Sequence, residues 1–122
     1  MKVSERAVSP VNFERLREVS DSDPLMINEI IELYFSQTRQ QLNELEKAIG
    51  AQDFDSIYKL AHRIAGGSLT CGMNAVVEPI RALEQAGRSQ KSENAEQLFA
   101  GARQAFEQME KYLRANRKQL FG

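Results

Sequence analysis

Apolar residues recur at spacings of three and four along most of this chain, and strand-type alternation occurs nowhere. The longest series, Ile27, Ile31, Tyr34, Thr38, Leu42, Leu45 and Ile49, lines one face of a single helix. Asp23-Pro24 supplies its start, with an N-cap carboxylate and proline at the first helical position, and Gly50 its stop. Asp53 starts a second helix with the inner face Ile57, Leu60, Ala61, Ile64, Ser68 and Cys71, ended by Gly72. A third is expected from Asn74 to Gly87 with Val77, Ile80 and Leu83 inward, bent at Pro79 or regular only from about there. Ser92 is expected to cap a fourth, whose stripe is Ala95, Leu98, Ala102, Phe106, Met109 and Leu113. Phe13, Leu16 and Val19 mark a short helix before them all. The expected fold is all-α: an antiparallel up-down-up-down four-helix bundle with the short N-terminal helix packed on one end. Residues 1–10 are expected to be a loose arm and residues 11–119 one domain, with the polar end from Arg114 fraying.

Composition narrows the function. A chain of 122 residues with 42% hydrophobic residues builds one core without disulfides or metal. The formal net charge of −1 disfavours nucleic acid as a partner, because phosphate binding wants a basic excess. No run approaches the roughly 18 apolar residues of a membrane span, and the N-terminus lacks a secretion signal. The one cysteine, Cys71, fits a reducing compartment, and a cytoplasmic location is expected.

The second helix carries the only histidine, His62, followed by Gly66 and Gly67. At about 100° per residue, His62 points roughly 140° away from the core stripe and should face solvent. Gly66, one turn on, leaves bare backbone beside the imidazole. Gly67 lies nearer the core edge and reads as a close-packing position, and Ser68 is expected to bond its own helix backbone. One exposed imidazole is poor equipment for a metal site, there is no nucleotide-binding loop, and no cofactor is expected. Such an imidazole does suit nucleophilic attack on a phosphoryl group presented by another protein.

The run His62-Arg63-Ile64-Ala65-Gly66-Gly67-Ser68, with Gly72 after it, resembles the His-x-x-Lys-Gly-Ser-Ser motif of histidine-containing phosphotransfer (HPt) domains. Ala61-His62, Leu83-Glu84, Gly87-Arg88, Leu45-Glu46-Lys47-Ala48 and Asp53 extend the likeness over most of the chain. The resemblance implies a phosphorelay carrier: His62 accepts a phosphoryl group from a receiver-domain aspartate and passes it to another receiver, as an intermediate and not an ATP-dependent kinase. It implies response-regulator receiver domains and a hybrid histidine kinase as partners. It also makes Gly66 the position that admits the receiver's aspartate, Gln37 a hydrogen-bond partner of the imidazole, and Arg88 an assisting cation. Tyr58, Arg63, Ala65 and Leu69 are the expected docking positions, and a monomer is expected.

The chain departs from the motif at one place. Ala65 stands where the family usually has lysine, and Lys59, about 60° round the helix from His62, is the best-placed substitute cation. Slower transfer or a shorter-lived phosphohistidine is the expected consequence. The alternative is a degenerate HPt, a non-catalytic docking module that binds a receiver or kinase without transfer. A homodimeric structural bundle covering His62 is a third reading.

Overall fold

The structure, a computed structural model, describes residues 9–121. Among them are six helices and no strand: α1 (Phe13–Val19), α2 (Pro24–Gly50), α3 (Phe54–Thr70), α4 (Val77–Ser89), α5 (Ala95–Ala115) and α6 (Lys118–Phe121), with a 3-10 turn at Asn74–Val76. Most of the arm expected at residues 1–10 lies outside the described residues. Ser9 and Pro10 are tied down: Ser9 Oγ donates to the Val11 carbonyl at 2.7 Å, and the Pro10 carbonyl accepts from Ala75 N–H at 3.1 Å.

The local signals explain where the helices begin. The Asp23 carboxylate accepts from Leu25 N–H at 3.0 Å with Pro24 at the first position, and the Asp53 carboxylate accepts from Ser56 N–H at 3.2 Å. Pro79 needs no kink, because α4 starts at Val77 and Pro79 falls in its first turn, where the helix has no partner for that N–H. The stops differ more. Beyond Gly50 it is Gln52 that turns left-handed (φ 54°), and α4 continues past Gly87 to Ser89, where Gln90 turns (φ 57°). Gly72 does close α3 as expected: with φ +75° it donates to Leu69 O, and Met73 donates to Ser68 O. Helix α5 starts at Ala95 after Asn94, two residues later than the Ser92 cap would place it.

α2 packs on α3, α3 on α4, α4 on α5, and α5 back on α2, so four long helices close a ring around one core. Neighbours run antiparallel: Tyr34 meets Ser68, Tyr58 meets Arg88, and Arg39 and Arg114 tie α2 and α5 through Glu110 and Glu32. α1 covers one end, where Asn12 N–H donates to Gly72 O and Arg15 Nε to Thr70 O. The C-terminus does not simply fray: α6 folds back onto α1 and buries Leu120. The core follows the predicted stripes with repairs. Phe35 and Phe99 join it, while Leu98 and Val77 are only half-buried.

Candidate functional site

His62 stands on the outer flank of α3 with 61% of its side chain exposed. Its Nδ1 lies 2.8 Å from Oε2 of Glu84 on α4, and Glu84 Oε1 accepts from Arg81 Nη1 at 2.8 Å. Glu84 is itself buried. Burial alone would raise its pKa, but the hydrogen bonds from His62 and Arg81 outweigh it and hold the carboxyl below its ordinary value. An ionised carboxylate only accepts, so an imidazole in its neutral form donates from Nδ1 here. That leaves the lone pair on Nε2, which has no hydrogen bond among the described residues.

The Tyr58 ring lies against the imidazole, with centroids 5.9 Å apart and planes 24° from parallel. Arg88 sits over Tyr58, its guanidinium carbon 5.2 Å from the ring centre and Nη2 3.2 Å from the hydroxyl. On the open side, a Cβ added at Gly66 or Gly67 would meet nothing within 4 Å. Gly66 is therefore the cleared position expected. Gly67 is not a packing glycine; that role belongs to Gly87, where a Cβ would lie 2.7 Å from Tyr58 N and 2.9 Å from Phe54 O. Gly87 lets α4 settle onto the α3 backbone, which brings Glu84 within reach of His62.

The remaining predicted residues divide. Leu69 is 47% exposed on the same flank as His62. Ala65 is fully buried, so it is no docking position: the core face of α3 is widened towards α4 to include it. Gln37 is exposed on α2, and the bond foreseen for it is made by Glu84 instead, because α4 and not α2 packs beside the imidazole. Lys59 pairs with Asp55 at 3.0 Å, and Arg63 lines a cleft of about 470 Å³ with Glu44, Lys47 and Leu60, turned towards α2. Ser68 bonds Tyr34 Oη at 2.7 Å and not its own backbone. Burial pushes that Tyr34 hydroxyl up to about 12, so the pair stays neutral under the site. Glu84 was missed as a site residue, although the Leu83-Glu84 pair was already visible as part of the likeness. Met26 and Leu33 on α2, at helical spacing with half-buried Ile30, are also exposed.

The site is thus one exposed imidazole on a helical bundle, its Nδ1 edge held by a buried carboxylate. The family model for the Hpt domain matches residues 29–119, and the chain belongs to that family. Histidine-containing phosphotransfer protein B from Pseudomonas aeruginosa PAO1 has a similar fold: TM-score 0.83 over 93% of this chain and 98% of that one, at 17% identity. The virulence sensor protein BvgS of Bordetella pertussis is 24% identical over 83 residues, which is 68% of this chain and 7% of that protein. The chain thus spans a small fraction of that relative's length. Membership of the Hpt family supports a phosphotransfer protein of phosphorelay signalling. Members of the family work with receiver domains and histidine kinases in two-component relays. No helix among the described residues is long and apolar enough to cross a membrane.

Proposed function

We propose that His62 is the phosphorylated residue and that Nε2 is its nucleophilic atom. The supporting observation is the free Nε2 of an exposed imidazole beside the open backbone of Gly66. The Nε2 lone pair attacks the phosphorus of an aspartyl phosphate on a receiver domain. The bond from phosphorus to the aspartate oxygen breaks, the carboxylate leaves, and an N–P bond forms. In the neutral ring that donates from Nδ1 to Glu84, no proton has to leave Nε2. The positive charge that grows on the ring is met by the Glu84 carboxylate at Nδ1. Reversal against a second receiver aspartate hands the group on.

Docking on this reading uses Tyr58 and Leu69 beside His62. Gln37, Lys59 and Arg63 are left to secondary contacts at its rim, and Arg88 is the assisting cation. The protein acts as a cytoplasmic monomer, without nucleic acid or membrane, between a hybrid histidine kinase and its regulators. Incubation with a ³²P-labelled receiver tests this: acid-labile label should move to the wild type and be absent from His62→Gln. Tight binding with no label on the wild type would overturn it.

A further inference from the structure

Three cations stand around His62 without belonging to its motif, and they are held differently. Lys59 faces the Asp55 carboxylate and Arg81 the Glu84 carboxylate. Arg88 has neutral partners, the hydroxyl and the face of Tyr58. The same ring lies against the imidazole. Tyr58 therefore touches both the nucleophile and a cation that no carboxylate neutralises among the described residues. Its setting is fixed by backbone: the missing Cβ of Gly87 lets α4 close on Tyr58 N, and the next residue, Arg88, reaches over the ring.

We infer that Tyr58 is a positioning residue for phosphoryl transfer at His62. Its ring braces one face of the imidazole while Glu84 holds the edge, and its hydroxyl keeps Arg88 one ring away from Nε2. A guanidinium held by a phenol and a π face is held weakly at an exposed site. A phosphoryl group on Nε2 offers charge-assisted bonds to the guanidinium's remaining N–H groups while the hydroxyl keeps its hold on Nη2. This replaces the cation that Ala65 cannot supply, since Ala65 is fully buried and carries no charge. The inference rests on His62 being the phosphorylated residue.

Phosphoramidate tests it without any receiver. Nε2 attacks the phosphorus, the donor's N–P bond breaks, its protonated nitrogen leaves as ammonia, and the phosphoryl group stays on the ring. Arg88→Ala and Tyr58→Phe should each shorten the lifetime of the label by about threefold to tenfold, the loss of one charge-assisted contact. Tyr58→Phe should keep the wild-type ¹⁵N shifts of the His62 ring, while Tyr58→Ala changes them. The double variant Tyr58→Phe/Arg88→Ala should be no shorter-lived than Arg88→Ala alone, because the hydroxyl acts through the arginine. Wild-type lifetimes in both single variants, or an additive double variant, would overturn the inference. If phosphoramidate labels the wild type but a phosphorylated receiver does not, the relay reading falls, and the Tyr58 comparisons still decide this one.

Discussion

The α3–α4 seam and the α2–α5 seam join neighbouring antiparallel helices by opposite means. Along α2–α5, long side chains bridge at the surface: Arg39 to Glu110 at 2.6 Å, Arg114 to Glu32 at 3.1 Å, and Arg103 to Glu46 at 3.5 Å. Along α3–α4 the backbones themselves meet at Gly87, and His62 hydrogen-bonds the buried Glu84 across the seam. Surface ion pairs tolerate sliding and contribute little each, whereas a Cβ-free crossing and a buried carboxylate fix a register. His62 stands on the seam whose register is fixed.

Substitutions at the two seams should separate them, beginning with the largest effect. His62→Gln removes acid-labile label altogether and leaves the melting curve near wild type, since the side chain is mostly exposed. Gly87→Val forces side-chain atoms against Tyr58 N and Phe54 O and should cost about 2 kcal/mol or more, read as a lower urea midpoint. Glu84→Gln keeps the shape but removes the charge at Nδ1, so the labelling rate should fall by roughly tenfold or more.

The same carboxyl sets a pH signature. Its folded pKa lies below the ordinary 4.5, so its stabilising effect is present above that value and disappears as pH falls through the folded pKa. Acid titration of Glu84→Gln should therefore show a shallower loss of stability below pH 4.5 than wild type. Gly66→Ala meets no atom within 4 Å and should raise stability by up to about 1 kcal/mol, while transfer from a receiver falls by about tenfold. Arg114→Ala, on the sliding seam, should cost under about 1 kcal/mol and leave labelling unchanged. An equal labelling defect in Arg114→Ala and Glu84→Gln would erase the contrast.

What was legible in the sequence was what depends on neighbours in sequence. Asp23-Pro24 and Asp53 announced their helices because a cap bonds within three residues, and His62 could be placed outward from helical periodicity alone. Glu84 was not legible as the imidazole's partner, because that bond spans 22 residues and depends on how α4 seats against α3. The same seating gave Gly87 the close-packing role expected of Gly67 and buried Ala65, since a wheel drawn for one helix does not show how wide its contact face becomes. Gln52 and Gln90 took the left-handed turns expected near glycine, a conformation that local sequence disfavours and the closing chain imposes.

The Asn12–Gly72 contact gives the molecule a load path. A Cβ at Gly72 would lie 2.6 Å from the Asn12 carbonyl, and Asn12 N–H already donates to Gly72 O at 2.7 Å, so this joint has almost no slack. Arg15 adds a second strut to the Thr70 carbonyl at 3.0 Å. Tension or twist entering through residues 9–12 is therefore delivered to the end of the helix that carries His62, less than two turns beyond Gly66. The long helix α2 follows α1 in the chain, yet the stiff coupling of this end runs to α3.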